Sequence, residues 1–167
     1  MNITEKEILE ALYRRHYSAA YLYSLSLCGD SHTAQDIVAD AFVKAYLSLP
    51  EDVPSFRYWL LRVCKNLWLD QLRRRKLETN LESPERISDG NTPENAYIQN
   101  ETYQTLWHII SSLPPADREL LTLHYFSRMP LQDIAPIMGK SYAAVRQRMV
   151  RLRQQMKLRM EEQGYGK

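Results

Sequence analysis

The chain has 167 residues, 44% hydrophobic and 25% charged, which suits one compact domain or two small ones and excludes a disordered tail. With five glycines and eight prolines it is not fibrous or low-complexity. No apolar run nears the roughly 20 residues of a membrane span, and the first ten residues lack the basic start and apolar core of a signal peptide, so no membrane insertion is expected. The net charge of +2 hides a segregated pattern: residues 57–76 carry seven Lys/Arg against one Asp, residues 140–160 carry seven and no acid, and 77–105 hold six Asp/Glu against one Arg. Such cationic blocks are the electrostatic footprint of a nucleic-acid binder, with solvated helix faces as the bland alternative.

In chain order, helical periodicity is strong and strand alternation is absent. Ile8, Leu12, His16, Ala19, Ala20, Tyr23 and Leu27 repeat at three- and four-residue steps; Gly29 then supplies a stop and Asp30 or Ser31 a fresh N-cap. The second helix is cleaner, with Ala34, Ile37, Val38, Ala41, Phe42 and Ala45 on one side and Gln35, Asp36, Asp40 and Lys44 on the other. A break at Pro50–Pro54, with Ser55 as cap, opens a third helix running to about Lys76. The Cys28 and Cys64 thiols belong to no C-x-x-C pair, which points to reduced, buried cysteines in a cytoplasmic protein and not to a disulfide or zinc scaffold.

The third helix carries a polar stripe, Arg62, Lys65, Asn66, Asp70 and Arg73, extended by Arg74, Arg75 and Lys76. Its other side holds Phe56, Leu60, Val63 and Leu67. Cations interleaved with an amide and aromatics suit single-stranded or distorted DNA, where bases stack and phosphates are tracked. Trp59 and Trp68 read more readily as core residues than as base platforms.

Residues 77–102 are rich in Glu, Ser, Asn and Pro and have no sustained apolar period. They cannot bury enough surface to offset their ordering entropy, so a flexible acidic linker is expected there. The sequence thus divides into 1–76, the linker 77–102, and 103–160, an all-α protein of two small helical domains. Helical pattern resumes around Tyr103–Leu113, pauses at Pro114-Pro115, continues through Ala116–Phe126, and is followed by Leu131–Met138 and Ser141–Met160.

The last two helices have helix-turn-helix spacing. Ala135 is small where helices approach, Gly139 supplies the left-handed turn, Val145 anchors the second helix, and Ser141 caps it. Ile134, Ile137 and Met138 support the first helix, in which Pro136 predicts a local kink. At about 100° per residue, Val145, Met149, Leu152 and Met156 form the buried stripe of the second helix, and Ala143, Arg146, Gln147, Val150 and Gln154 face away, flanked by Arg151. Arg146 and Gln147 are the best base-edge readers, since Arg pairs bidentately with guanine and Gln with adenine. Tyr142 and Ala143 suit phosphate or thymine-methyl contacts, and Arg148, Arg151, Arg153 and Lys157 suit phosphates. Neutralising about five phosphates gives a log–log salt slope near −4 to −5.

These segments together resemble the extracytoplasmic-function sigma factors, the small group IV members of the sigma-70 family. AQDIVADAFVKAYLSL is similar to the family's core-polymerase-binding segment. SFRYWLLRVCKNLWLDQLRRRK is similar to its −10 promoter segment, through Trp59-Leu60, Asn66 and Asp70–Arg74. LPPADRELLTLHYFSRMPLQDIAPIMGKSYAAVRQRMVRLRQQM is similar to its −35-binding domain. The resemblance implies that Asp36, Ala39, Asp40, Phe42 and Lys44 lie at the surface for the β′ coiled coil of core RNA polymerase, although the family often has Gln at the position of Ala39. It implies that Arg62, Lys65, Asn66, Asp70, Arg73 and Arg74, with the loop Leu49–Ser55, engage the −10 element and its unpaired non-template strand. Ser141, Tyr142, Ala143, Arg146, Gln147, Val150, Arg151 and Arg153 would read the −35 element. The β flap of the polymerase and an anti-sigma factor are the further partners it implies; no cofactor is implied.

Two other classes compete. An autonomous helix-turn-helix regulator would bind duplex DNA as a dimer, but no apolar dimer seam is evident, and the stripe on the third helix would have no purpose. A nucleic-acid-processing enzyme would need paired carboxylates, HExxH, a P-loop or a His/Cys cluster; His16, His32, His108 and His124 are scattered and read as packing or surface residues.

Overall fold

The computed structural model describes residues 4–48, 56–78, 108, 110–162 and 164, all helix, turn or cap among the described residues, with no strand. The chain divides into two compact units, Met1–Glu94 and Asn95–Lys167. The predicted linker beyond Glu78, the loop Leu49–Ser55 with its Ser55 cap, and the helix start at Tyr103 lie outside the described residues.

In the first unit, α1 (Glu5–Cys28), α2 (Ser31–Leu47) and α3 (Phe56–Glu78) all pack on one another. α1 starts three residues ahead of its first periodic apolar position because Thr4 and Glu7 form a capping box. The Glu7 N–H donates to Thr4 Oγ1 at 3.3 Å and the Thr4 N–H to Glu7 Oε2 at 3.0 Å. Gly29 ends the helix at φ 72°, where an L side chain would be strained, and its N–H bonds the Leu25 carbonyl at 2.8 Å. Of the two cap candidates, Asp30 takes the role. Its Oδ2 accepts from the Thr33 N–H at 2.9 Å and the Thr33 hydroxyl at 2.7 Å, and these bonds hold its carboxyl below the usual carboxylate range.

All six apolar positions predicted for α2 are buried. α1 departs from its predicted stripe: Leu12, Ala20 and Tyr23 are buried, but so are Tyr21, Leu22 and Leu25, while Ile8, His16, Ala19 and Leu27 are half-buried. Its second half is covered on every side, so a one-faced pattern cannot describe it. On α3 the buried set is Phe56, Leu60, Leu61 and Cys64, with Val63 and Leu67 only half-buried. Nothing on α3 beyond Cys64 is buried, so its last turns stand clear of their own core.

In the second unit His108, Ile110 and Ser111 are helical, with Ile110 and Leu113 buried, and α4 (Pro115–Leu121) follows, where Pro115 costs no backbone bond in the first turn. The predicted α-helix does not reach Phe126 in regular form. Thr122–Phe126 is a π-helical turn, with the Ser127 N–H reaching the Thr122 carbonyl at 3.1 Å. The Thr122 hydroxyl donates back to the Arg118 carbonyl at 2.7 Å, a local bond that competes with the regular ladder. Arg128 then takes a left-handed φ of 53°.

α5 (Leu131–Met138) has its predicted bounds and runs unbroken through the exposed Pro136. It closes in a Schellman motif at Gly139, φ 65°: the Gly139 N–H reaches the Pro136 carbonyl at 3.2 Å and the Lys140 N–H the Ala135 carbonyl at 3.0 Å. α6 (Tyr142–Glu162) is capped by Ser141, whose Oγ accepts from the Ala144 N–H at 3.1 Å. Val145, Met149 and Leu152 form its buried inner stripe, and the helix packs on α4 and α5; each such side chain is worth about 1.5–3 kcal/mol when removed from water.

Candidate nucleic-acid interfaces

On α3 the buried stripe fixes what faces outward. At about 100° per residue, Arg62, Asn66 and Arg73 lie opposite Leu60 and Cys64, and all three are exposed, as is Arg74. Lys65 and Asp70 sit half-buried at the edges of this ridge, and Asp70 is ion-paired to Arg73. Trp59 and Trp68 are half-buried. Trp59 lies 5.8 Å from the Phe56 ring, and the Arg75 guanidinium covers Trp68 at 5.3 Å. The sequence reading missed Leu69, which stands 42% exposed inside the ridge.

The outward face of α6 presents Ala143, Arg146, Gln147, Val150 and Arg151, all exposed, with Ser141 and Tyr142 exposed at its start. Two arginines expected at phosphates have partners within the fold. Arg148 is half-buried on the side towards α4 and meets Asp117 at 2.5 Å, which ties the two helices together. Arg153 lies on the opposite flank and donates to the Tyr125 hydroxyl at 3.3 Å. Beside it, His124 Nδ1 is 3.0 Å from the Met129 carbonyl, an acceptor only, so Nδ1 carries the proton; Nε2 then accepts from Arg153 at 3.4 Å. Arg153 remains exposed, but it sits beside a cavity and away from the centre of the reading face. That cavity, of about 420 Å³, is walled by Leu121, Tyr125, Met156 and Met160, with Arg153 and Lys157 at its rim.

In the first unit a groove of about 580 Å³ runs between α1 and α2, bounded by Tyr13, Tyr17, Asp36, Ala39, Phe42 and Val43. Asp36, Ala39, Asp40 and Lys44 are exposed. Phe42 does not stand at the surface with them. It is 6% exposed and packs against Tyr13 at 4.8 Å and Phe56 at 6.2 Å, because it belongs to the same stripe as Val38 and Ala45. The apolar side chains that do face outward are Val43, Tyr46 and Leu47, the last 76% exposed. They were findable, being the apolar residues of this segment that the buried stripe leaves over.

Neither thiol is poised for chemistry. Burial pushes Cys28 up to about 11 and Cys64 up to about 12. Among the described residues no cluster of His, Cys, Asp and Glu could hold a metal ion, and no helix is long and apolar enough to cross a membrane.

Two helical units, each turning a cationic helix face away from its core, have the arrangement of a DNA-binding protein. The family comparisons agree: the model for sigma-70 region 2 matches residues 12–78, and that for sigma-70 region 4 matches residues 103–156. The chain is 30% identical over 138 residues to the RNA polymerase sigma-H factor of Pseudomonas aeruginosa, covering 75% of this chain and 72% of that one. It is 28% identical over 152 residues to the ECF RNA polymerase sigma factor SigM of Bacillus subtilis, covering 89% and 93%. It is 29% identical over 153 residues to the ECF sigma factor SigE of Mycolicibacterium smegmatis, of whose length it spans 60%. Among solved structures the fold is similar to the sigma factor RpoE of Bartonella quintana in complex with the anti-sigma factor NepR. There the TM-score is 0.64 at 19% identity, over 93% of this chain and 98% of that one. It is also similar to CnrH in complex with the cytosolic domain of CnrY, at a TM-score of 0.62 and 22% identity, over 95% and 90%. The chain belongs to the extracytoplasmic-function group of the sigma-70 family and is an RNA polymerase sigma factor, serving transcription initiation.

Proposed function

We propose that this chain binds core RNA polymerase, brings it to promoters by reading −10 and −35 elements, and opens the DNA at the −10 element without catalysing a reaction. The observation that carries this reading is the pair of outward cationic faces, Arg62/Asn66/Arg73 on α3 and Arg146/Gln147/Arg151 on α6, each opposite its own helix's buried stripe. Arg146 and Gln147 suit base edges in the duplex −35 element. Asn66, Arg62 and Arg74 suit the unpaired strand of the −10 element, where captured bases offset a melting cost of about 1.4 kcal/mol per base-pair step.

The outward side of α2, with Asp36, Asp40 and Lys44 around Ala39, Val43 and Tyr46, takes the β′ coiled coil, and Phe42 supports that surface from within. The cavity beside Arg153 takes the β flap. An anti-sigma factor that covers the same surfaces would keep the protein inactive, as the partners of the RpoE and CnrH structures suggest. The domain bounds 1–76 and 103–160 fit this division, with 77–102 as connector, and the work is done in the cytoplasm. The test is reconstitution. Purified protein added to core polymerase should form a stable complex and start transcription at defined sites; a well-folded preparation that forms no complex would refute the proposal. The regulator alternative predicts specific duplex binding by the protein alone, as a dimer.

A further inference from the structure

Leu69 sits at i+7 from Arg62 and i+3 from Asn66, with Arg73 one turn further on. It is 42% exposed, while Leu60 and Leu61 on the same helix are buried and Leu67 is half-buried. Leu69 is therefore no remnant of the core stripe; it is an apolar side chain in the middle of a cationic ridge. A neutral protein surface placed over it would have to bury Arg62 without counter-charge and Arg73 with only Asp70 beside it, which is expensive. An anionic partner meets both requirements, and DNA supplies phosphates for the arginines and a base face for the leucine. Leucine has no donor or acceptor and cannot read a base edge. It can only lie against a base or insert between two, as apolar wedges do where proteins unstack a duplex.

We propose that Leu69 is a wedge at the edge of the opened −10 segment, lying against the last stacked base while Asn66 and the flanking arginines hold the displaced strand. This rests on the sigma reading given above and adds a positioning residue to it. The helix is set by Leu60 and Cys64 in the core, so the wedge is held at a fixed height above the fold.

The test uses holoenzyme reconstituted from core polymerase and the full chain, on two templates: a duplex promoter, and the same promoter with its −10 segment already unpaired. Permanganate reactivity of the unpaired thymines reports opening. With Leu69→Ala, opening of the duplex should fall about tenfold, use of the pre-opened template should stay within about twofold, and Leu69→Met should restore opening. No loss on the duplex, an equal loss on both templates, or a Leu69→Met that remains defective would overturn the proposal. So would weakened assembly with core polymerase, which would mark this face as a protein-docking surface. Failure of the wild-type holoenzyme on both templates would instead defeat the sigma reading beneath it, and is seen separately because it needs no variant.

Discussion

Arg148 separates a structural cation from a DNA-reading one, and Arg148→Ala tests the distinction. Its guanidinium meets Asp117 at 2.5 Å, with the side chains 32% and 17% exposed. An exposed pair is worth about 0–1 kcal/mol, whereas removing one partner of a buried pair costs about 3–5 kcal/mol. With Asp117 the more enclosed partner, the substitution leaves a largely covered carboxylate unpaired, and about 2 kcal/mol is expected, between the exposed and buried limits. For a unit of this size each kcal/mol moves the midpoint by about 4–8 °C, so calorimetry of the full chain should show the second transition lowered by about 8–16 °C. Asp117→Ala in the same background should add little, since the pair is already broken. The salt slope of promoter binding, measured by holoenzyme titration, should be unchanged for Arg148→Ala and shallower by about 1 for Arg151→Ala. A normal midpoint together with a slope reduced by about 1 would refute this reasoning and return Arg148 to the phosphates.

Three further outcomes follow from the same geometry. Arg146→Ala and Gln147→Ala should each weaken −35 discrimination by about 1–3 kcal/mol per lost bidentate contact while leaving polymerase binding intact, as read by competition between cognate and mutated promoters. Gly139→Ala places a Cβ at φ 65° with nothing within 4 Å of it, so the whole cost is backbone strain. About 1–2 kcal/mol is expected, seen as a lowered second transition in calorimetry. His16, half-buried against Phe56 at 5.4 Å, has its pKa held below the ordinary value of 6.5 by burial and then by Arg15 and Arg57. The folded value lies below the unfolded one, so its contribution is full above pH 6.5 and lost as pH falls through the folded value. The first transition should fall on acidification through this range, and His16→Gln should flatten that slope. The wild-type slope persisting in the variant would contradict it.

What could be read in advance depended on whether a helix has one buried face. α2 does, and its stripe from Ala34 to Ala45 was legible throughout; α5 and its Gly139 turn were equally plain, because the Ala135/Gly139/Val145 spacing, weak by itself, is flanked by the apolar positions Ile134, Ile137 and Met138 before it and Met149 and Leu152 after it. α1 is covered on all sides in its second half, so periodicity alone could not find Tyr21 or Leu22. Phe42 was assigned to the surface by analogy although its own stripe placed it inside, and Val43, Tyr46 and Leu47 were overlooked for the converse reason. The Thr4–Glu7 capping box was present in the sequence and passed over. The engagement of Arg148 and Arg153 by Asp117 and Tyr125 depends on partners about 30 residues away in the chain. No local pattern encodes such contacts.

Cross-linking mapped base by base tests the central claim most directly. A photoreactive residue placed at Asn66 and another at Gln147, each in reconstituted holoenzyme on one promoter, should label different DNA segments. Asn66 should mark the unpaired non-template strand at the −10 element, and Gln147 the duplex of the −35 element. If the position on α3 labels only protein while promoter opening proceeds, the cationic ridge is not the strand-holding face, and the division of labour between the two units is wrong.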